Sequence, residues 1–452
     1  MTIFGRQIFY GWVVVAAAFT AQFVTVGVQT SVVAVFAPEL IEEFGWTRTQ
    51  FFAADSLGQA FLMVIGFALG PRIDRYGARP IMLAAAVICI PSLFMMSQVE
   101  EYWHYLLVRG VFLVTSASVA GFLVVSISVS KWFVAKRGQA LGWTSMGVSM
   151  AGFFWPSFTA AVLIEPLGWR TAWMVLSACL AAILIPSALL MRRRPEDHGM
   201  LPDGGPTQLT QDQIEASQRD QETSLTRREA LRTSCFYLIV LIFGISVVGI
   251  FAILLNGVLF LREHGFNSVE AALAIAAFSL LSMLTKPPWG WALDRFDTRV
   301  VGFLSFVVGA IGFVLVINAA PTGNWWIIAG ALALMGLGIG GNIPIQDMFW
   351  AEYFGRRYLG AVRSIGFPVA MGINAITPVL VAFSYDLLGS YEVAFYTCSG
   401  LWAGSALLCL MLRLPAKRRT PLETLVRRVA ALITPSTHPA VRAAAQKHRV
   451  SE

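Results

Sequence analysis

Gly70-Pro-Arg-Ile-Asp74-Arg75-Tyr-Gly-Ala-Arg79 and Gly290-Trp-Ala-Leu-Asp294-Arg295-Phe-Asp-Thr-Arg299 are two copies of one pattern, with equivalent aspartates 220 positions apart (294 − 74 = 220). Three further landmarks recur near that offset: an aromatic-Phe pair followed by two basic residues at 132–137 and 353–357, a proline at 156 and 378, and Leu-Gly at 167–168 and 388–389. Because landmarks in register over about 100 residues are hard to obtain by chance, the chain is predicted to be a duplicated unit.

The repeated pattern lies in a very apolar chain. Of its 452 residues, 57% are hydrophobic and 13% are charged, whereas soluble proteins carry roughly 25% charged residues. Apolar runs of about 20 residues, the length that crosses a bilayer as a helix, recur along the whole sequence. We therefore predict an all-α polytopic membrane protein with twelve transmembrane helices as two six-helix repeats. The predicted spans are 10–37, 49–70, 80–98, 104–130, 138–163, 169–191, 234–261, 268–292, 300–319, 325–350, 358–383 and 391–412.

Basic residues in the connecting segments predict the orientation, because Lys and Arg are retained on the cytoplasmic side. One alternate set of segments carries Arg72, Arg75, Arg79, Lys131, Lys136, Arg137, Arg295, Arg299, Arg356, Arg357 and Arg363. The other set carries Arg48, Arg170 and Arg262. Both termini are expected in the cytoplasm of a cell with the protein in its plasma (inner) membrane. The net charge of +7 is then mainly an orientation signal, and no nucleic-acid partner is expected.

Two segments outside the spans complete the predicted domain organisation. Residues 1–191 form an N-terminal six-helix bundle, 192–233 a polar cytoplasmic linker, 234–412 a C-terminal six-helix bundle, and 413–452 a basic tail. Apolar residues at helical spacing after Thr420-Pro421 favour a surface helix on the inner leaflet, and a disordered tail is the alternative. The five cysteines lack CxxC spacing, so neither a disulfide framework nor a metal site is indicated.

The paired loop motif, G-x-x-x-D-R-x-G-x-R, in a duplicated twelve-helix chain with a central linker resembles the major facilitator superfamily. The resemblance implies that the motif gates the cytoplasmic side, with Asp74, Arg75, Arg79, Asp294 and Arg295 as gating residues. A carboxylate near helix N-termini and arginines is worth about 0.3 to 1 kcal/mol per contact, which allows it to be broken and remade. Asp297 replaces the motif's glycine in the second copy, so a less tight turn is expected there.

Polar residues inside the spans are the candidates for substrate recognition, because an ionisable group at membrane depth costs about 2.5 to 3.5 kcal/mol or more. Lys286 lies eight residues before Asp294, or about 12 Å inside the cytoplasmic edge. Helical spacing places it with Ser282 and Ser279 on one face, and likewise groups Gln22, Thr25 and Gln29 on span 1 and Ser246, Gly249 and Asn256 on span 7. These three faces are expected to meet at a central cavity.

Proton coupling stays open at this stage. All five histidines, His104, His198, His264, His438 and His448, fall at span ends or outside the spans, so a carboxylate would have to carry the proton. Asp55 on span 2 is the candidate, with Arg109 on span 4 at a similar depth. Alternatively, Asp55 pairs with Arg109 and plays no part in coupling.

Lys286-Pro287-Pro288-Trp289-Gly290 resembles a narrower group, the monocarboxylate porters and the related oxalate:formate exchanger, which carry Arg-Pro-x-x-Gly at this place. Tyr10-Gly11-Trp12 and Gly168-Trp169-Arg170 are also similar to that group. The resemblance implies that Lys286 pairs with a substrate carboxylate, although lysine gives a point charge where arginine gives a planar fork. The alternative is an ion pair of Lys286 with Asp55 or Asp347 of another helix, which would make Lys286 structural. Ser282 stands where proton-coupled animal members have an Asp, so their proton relay is not copied.

The sequence therefore predicts a secondary active transporter of a small, monocarboxylate-like organic anion. Its predicted binding residues are Lys286, Asn256, Gln22, Gln29 and Ser282. A drug/proton exporter of the same superfamily is the alternative, followed by a non-transporting membrane sensor. No nucleophile, metal or cofactor constellation supports an enzyme, no cofactor is expected, and the partners are the anion, membrane lipid and, if coupled, protons, with the protein a monomer.

Overall fold

The computed structural model describes residues 2–3, 6–7, 9–204, 211–374, 384 and 390–418. The predicted surface helix of the tail lies outside the described residues. Short strands β1 (Thr2–Ile3) and β2 (Arg6–Gln7) pair antiparallel at the N-terminus, and the rest of the described chain is dominated by helices. Nine helical stretches of the described residues are long and apolar enough to cross a membrane, and one of them, Arg137–Leu190, contains two helices.

The fold consists of two six-helix repeats, α1–α6 and α7–α12. The first six helices are α1 Tyr10–Phe44, α2 Arg48–Tyr76, α3 Ala78–Met96, α4 Tyr102–Trp132, α5 Arg137–Phe158 with its extension Thr159–Ile164, and α6 Glu165–Leu190. The second six are α7 Ser234–Glu263, α8 Ser268–Arg295, α9 Thr298–Ala319, α10 Trp325–Phe354, α11 Leu359–Asn374 and α12 Glu392–Met411.

Three helices of the first repeat contain π-helical turns. These turns are Gly27–Ser31 in α1, Leu106–Val114 and Val119–Leu123 in α4, and Thr159–Ile164 at the end of α5. A π turn holds more residues than an α turn, so side chains beyond it move to a different face. Gln29 lies inside the π turn of α1 and donates to Ser118 of α4. Thr25 packs against Gly121 of the same helix, so these two members of the predicted polar stripe face α4. That Gln22 shares this face stays a prediction.

The two copies of the repeated motif, 70–79 and 290–299, are helical for most of their length. This corrects the predicted span ends at 70 and 292. Asp74 lies in the last turn of α2, and Asp294 lies in the last turn of α8. The turns that follow differ. Gly77 has φ +82°, a left-handed value that favours glycine, whereas Asp297 has φ −57° and accepts a hydrogen bond from the Arg299 N–H as the N-cap of α9.

The two repeats approach each other backbone to backbone at the end of the bundle that carries the turns at 77, 133–136, 296–297 and 355–358, hereafter the basic face. A Cβ atom on Gly138 of α5 would lie 2.2 Å from the Gly290 carbonyl oxygen of α8. A Cβ on Gly70 of α2 would lie 2.5 Å from the Gly360 carbonyl oxygen of α11. Glycine at these crossings lets helices of the two repeats come close enough for main-chain contacts.

The segment between the repeats forms short helices that dock on the basic face. The linker helix Gln211–Glu222 is followed by one turn at Arg227–Ala230, where Thr226 and Glu229 form a capping box. Before them, the Asp203 carboxylate accepts hydrogen bonds from the N–H groups of Val134, Ala135 and Lys136 at 2.8, 2.8 and 3.0 Å. The described parts of the linker, 192–204 and 211–233, therefore have defined structure and contacts, although the linker was predicted from its polar composition alone.

Candidate functional site

The first motif carboxylate joins the two repeats. Asp74 of α2 accepts hydrogen bonds from the N–H groups of Gly360 and Ala361, at the start of α11, at 3.1 and 2.8 Å. Its Oδ1 also lies 2.7 Å from the Lys131 ammonium at the end of α4. A negative charge at a helix N-terminus interacts favourably with the unpaired N–H groups and the helix dipole. We call this set the first latch.

The second motif carboxylate makes the symmetry-related contact. Asp294 of α8 accepts hydrogen bonds from the N–H groups of Gly138 and Gln139, in the first turn of α5, at 2.5 and 2.9 Å. We call this set the second latch. Among the described residues, no cationic side chain lies within ion-pair distance of Asp294. The neighbouring Arg137 lies 3.4 Å from Asp220 of the linker helix instead.

The motif arginines lie outside these hydrogen bonds. The Arg75 guanidinium stacks on Tyr76 at 5.3 Å, and the Arg295 guanidinium stacks on Trp291 at 4.5 Å. Arg79 is exposed at the start of α3. The two carboxylates therefore bridge the repeats, while the arginines line the surface around them.

Six cationic side chains among the described residues are buried: Arg109, Lys131, Arg137, Lys286, Arg356 and Arg363. Five of them have a carboxylate partner, in the pairs Arg109–Asp55, Lys131–Asp74, Arg137–Asp220, Arg356–Glu196 and Arg363–Asp347. Lys286, 2% exposed, has no carboxylate within ion-pair distance in the described part of the chain. It is thus the one buried cation of that part without an internal counter-ion.

Lys286 lies where α8 crosses α5. A Cβ on Gly142 would lie 2.7 Å from the Lys286 carbonyl oxygen, so the helices touch at this level. Five residues further along α5, Gly147 packs in the same way on Phe19 and Phe23 of α1, which is about 7 to 8 Å along a helix. Helix α5 therefore brings Lys286 and the Gln22 region of α1 to neighbouring levels of the bundle.

The side chains of Gln22 and Gln29, which are predicted to bind substrate together with Lys286, differ in their hydrogen bonds. Gln22 is fully buried, and neither side-chain amide atom has a hydrogen-bond partner among the described residues. Gln29 donates to Ser118 of α4 at 2.9 Å, but its side-chain oxygen, Oε1, is unpaired. Buried amides are normally hydrogen bonded, and an unpaired one indicates a place for water or a ligand.

The contribution of α7 differs from the expected one. The Ser246 hydroxyl accepts a hydrogen bond from Asn342 of α10, and Gly249 packs on Trp402 of α12. The expectation that this face meets α1 and α8 across a cavity is therefore wrong for Ser246 and Gly249, which face their own repeat.

The other two predicted binding residues are Asn256 and Ser282. Asn256 is half-buried and donates to the Ala252 carbonyl of its own helix. Ser282 is buried on α8, and its backbone packs on Gly340 of α10.

Asp55 and Arg109 form a buried pair between α2 and α4. Arg109 Nη2 lies 2.7 Å from Asp55 Oδ1 and donates a second hydrogen bond, at 3.1 Å, to the main-chain carbonyl oxygen of Gln29 in the π turn of α1. The pair therefore ties three helices together. Since Asp55 is engaged here and Asp347 binds Arg363, neither carboxylate neutralises Lys286 in this structure.

A second ion pair inside the bundle was missed from the sequence. Arg363 of α11 binds Asp347 of α10, and both side chains are almost completely buried. Ser126 of α4, in the other repeat, is a further neighbour of the Asp347 carboxylate. Arg363 was counted among the basic connecting residues although it falls inside the predicted span 358–383, and that position was the signal for a buried partner.

Comparisons with known proteins agree with this architecture. The family model of the Major Facilitator Superfamily matches residues 18–267 and again 237–444. The chain belongs to this superfamily. Its members are transporters rather than enzymes, and the chain is accordingly a membrane-spanning transporter that binds a small molecule.

Individual relatives are distant. Monocarboxylate transporter 2 of Homo sapiens is 21% identical over 444 residues, which cover 91% of this chain and 88% of that protein. The fujikurins efflux protein of Gibberella fujikuroi is 29% identical over 140 residues, only 31% of this chain and 30% of that protein. The resemblance to the monocarboxylate transporters thus spans the chain, and the resemblance to the efflux protein is partial.

Solved structures share the fold. The proton:xylose symporter XylE aligns with a TM-score of 0.70 at 13% identity, over 90% of this chain and 96% of that chain. The human organic anion transporter MFSD10 aligns with a TM-score of 0.65 at 15% identity, over 88% of this chain and 99% of that chain. At such identities the likeness concerns the arrangement of helices alone.

Proposed function

We propose that this transporter moves a small organic anion of the monocarboxylate type by alternating access, with Lys286 as the counter-ion of the substrate. The observation that carries the proposal is the missing partner of Lys286. The other five buried cations of the described residues have a carboxylate partner, and Lys286 does not.

The energetics of burial support this assignment. Moving a charge out of water costs several kcal/mol even after the protein has relaxed, unless a partner compensates for it. A carboxylate of the substrate would supply the missing negative charge and a charge-assisted hydrogen bond. The unpaired amide of Gln22 and the unpaired carbonyl of Gln29 are proposed to orient the ligand, with Ser282 and Asn256 as further polar neighbours.

The two latches support a proposed state and orientation. Both close the basic face, so the structure is proposed to be the state in which the substrate site is shut off from that side. The excess of Lys and Arg there supports a cytoplasmic basic face, with both termini cytoplasmic and the protein in the plasma membrane. Release of both latches would let the repeats rock apart around the site.

The binding proposal is tested by titration calorimetry on detergent-purified protein with a panel of short monocarboxylates, dicarboxylates and aromatic acids. Lys286→Ala is expected to remove binding of every anion that the wild type binds, because no other unpaired cation is buried nearby in the described structure. Lys286→Gln should nearly abolish it, and Lys286→Arg should retain part of it through the two-pronged contact of a guanidinium.

A matched control accompanies this series. Lys136→Ala removes an exposed lysine from the basic face, outside the proposed site. This variant should bind anions like the wild type. Unchanged anion affinity in a folded Lys286→Ala variant would refute carboxylate recognition by Lys286.

Proton coupling is proposed to run through Asp55, whose pair with Arg109 also contacts α1. Asp55→Asn should lose acid stimulation of uptake into proteoliposomes while counterflow exchange continues, since exchange needs no net proton movement. Arg109 then keeps its hydrogen bond to Gln29, and the helices remain connected. If Asp55→Asn accumulates substrate fully under a pH gradient, the pair is structural and coupling lies elsewhere.

A drug/proton exporter of the same superfamily is the second candidate, supported by the partial match with an efflux protein of Gibberella fujikuroi. The same calorimetry separates the two proposals. Binding of lipophilic cations or neutral compounds that survives Lys286→Ala favours the exporter, and binding of carboxylates that Lys286→Ala removes favours the anion transporter.

A further inference from the structure

A cavity of about 390 Å³ opens on the basic face between the two repeats and the linker. Its walls come from the end of α2, the end of α4, the start of α11 and the linker, including Gln221 of the linker helix. Lys286 and the other proposed substrate residues do not line it. We call it the basic-face cavity.

The lining of this cavity is strongly cationic. Six basic residues line it, Arg75, Lys131, Arg193, Arg194, Arg356 and Arg357, against two acidic ones, Asp74 and Glu196. Asp74 is already neutralised by Lys131 at 2.7 Å, and Glu196 by Arg356 at 2.6 Å. Of the remaining four arginines, Arg194 has an ion pair with Asp197 at 2.6 Å. Arg75, Arg193 and Arg357 are left without a close carboxylate partner among the described residues.

Two of these arginines are the most available. Among the described residues, no carboxylate lies within ion-pair distance of Arg75 or Arg357. The Arg75 guanidinium lies over the Tyr76 ring at 5.3 Å, and the Arg357 guanidinium lies over the Tyr358 ring at 5.2 Å. Arg193 has only a long contact, 3.9 Å, to Asp197, and its Nε is buried without a hydrogen-bond partner. Arginines held in place by stacking retain free donors for a planar or tetrahedral oxyanion.

From this excess of positive charge we infer that the basic-face cavity is a binding site for a phosphate-bearing polyanion. Several guanidinium groups that line one open cavity match the several oxygens of a phosphate or diphosphate group. Orientation in the membrane accounts for arginines near this face, but it does not require that so many of them line one cavity formed by both repeats and the linker. A bound anion would link these three parts and stabilise the closed basic face.

The test uses the full chain purified in a neutral detergent, with pyrophosphate and inorganic phosphate as probes at constant ionic strength. Saturable pyrophosphate binding by calorimetry, with a rise in the thermal unfolding midpoint, is expected for the wild type. Arg75→Gln/Arg357→Gln should weaken this binding at least about tenfold, as expected for lost hydrogen bonds to a charged group. Both side chains are exposed, so the variant is expected to fold.

The matched control is Arg72→Gln/Arg228→Gln. It removes the same charge from two exposed arginines on the same side of the molecule that do not line the cavity. Its pyrophosphate affinity should stay within about twofold of the wild type, because neither side chain lines the cavity and exposed surface charges are screened by salt. Equal weakening in the two double variants would overturn the proposal and indicate general charge attraction.

A second arm identifies the source of the phosphate group. The wild type is compared in nanodiscs of phosphatidylglycerol and of phosphatidylcholine. Stabilisation by phosphatidylglycerol that the Arg75→Gln/Arg357→Gln variant loses identifies a lipid headgroup, and pyrophosphate binding in detergent identifies a soluble anion. No saturable binding of either probe, together with equal stability in both lipids, refutes the site.

This inference is independent of the proposed substrate site. Lys286→Ala should bind pyrophosphate like the wild type, since Lys286 does not line the basic-face cavity. Loss of monocarboxylate binding with retained pyrophosphate binding in that variant would support both proposals separately. Loss of pyrophosphate binding in folded Lys286→Ala would contradict a separate cavity.

Discussion

The first and second latches have the same hydrogen bonds to a helix N-terminus, but they differ in the ion pairs of their aspartates. In each, an aspartate from the end of one repeat's helix accepts two N–H hydrogen bonds from the first turn of a helix in the other repeat. Asp74 also has a direct ion pair with Lys131. Asp294 has none among the described residues, and the adjacent Arg137 is bound by the linker carboxylate Asp220.

This difference indicates that duplication preserved the helix-terminus contact and not the charge around it. The first latch is a buried ion pair plus two hydrogen bonds, so losing its carboxylate leaves an ammonium uncompensated. The second latch depends on the helix N-terminus, so losing its carboxylate leaves only N–H groups unpaired. The two aspartates should therefore respond unequally to the same substitution.

The largest effect is expected for Asp74→Asn. The change preserves volume but leaves Lys131, 7% exposed, without its counter-ion, and it should destabilise the closed basic face by about 3 kcal/mol. Transport into proteoliposomes should be abolished or strongly slowed, while anion binding at Lys286 persists. Wild-type transport rates in this variant would rule out a gating role for the first latch.

Lys131→Met in the Asp74→Asn background is the control for that interpretation. Removing the stranded ammonium should restore part of the stability, since a buried pair replaced by apolar groups is often neutral. A double variant no better than Asp74→Asn would show that the N–H contacts to α11, rather than the ion pair, set the strength of the first latch.

A smaller effect is expected for Asp294→Asn. The amide oxygen can still accept a hydrogen bond from Gly138 or Gln139, and no cation is stranded, so the loss should be about 1 kcal/mol. Transport should fall several-fold without being abolished. Measuring both aspartate variants in one proteoliposome assay decides the comparison: an Asp294→Asn defect as large as that of Asp74→Asn would mean that the latches are energetically equivalent.

The smallest effect concerns pH and the linker beside the second latch. Burial raises the pKa of Asp220, but the neighbouring Arg137, Arg418 and Arg356 outweigh it and hold that pKa below its ordinary value of 3.8. A lowered folded-state pKa gives stability that is present above the unfolded-state pKa and is lost as pH falls through the folded-state pKa.

Linker docking should therefore be constant between about pH 5 and 8 and weaken only below about pH 4. Hydrogen exchange of residues 211–222 across this range measures it, with Asp220→Asn as the reference for complete loss of the charge. Deprotection that begins near neutral pH would show that a group other than Asp220 controls the linker.

The duplicated architecture and both latch aspartates were predictable from the sequence, because the motif repeats at a constant offset and apolar runs mark the spans. Lys286 was predictable as a buried cation from its distance to Asp294. Its lack of a partner was not, since Asp55 and Asp347 were equally available in the sequence. Which carboxylate binds which cation depends on how the helices pack, and spacing along one helix does not contain that information.

Other features could not be read from periodicity at all. The π turns of α1 and α4 change the angle between successive side chains without any change in hydropathy, so α-helical spacing alone does not give the orientation of Gln29 relative to Gln22. The docked linker has a composition typical of unstructured segments, yet Asp220 and Asp203 order it through contacts with arginines and with free N–H groups of the loop after α4. Those partners lie far away in sequence.

The unpaired charge of Lys286 has a consequence for how membrane voltage would act on the transport cycle. If Lys286 stays protonated, the empty site carries one positive charge and the site loaded with a monoanion carries none. Moving one elementary charge through the full potential is worth about 2.3 kcal/mol per 100 mV. Membrane voltage would then affect the conformational change of the empty transporter and leave that of the anion-bound transporter nearly unaffected. Exchange of one anion for another uses only the anion-bound transporter, so its rate should be nearly independent of membrane potential.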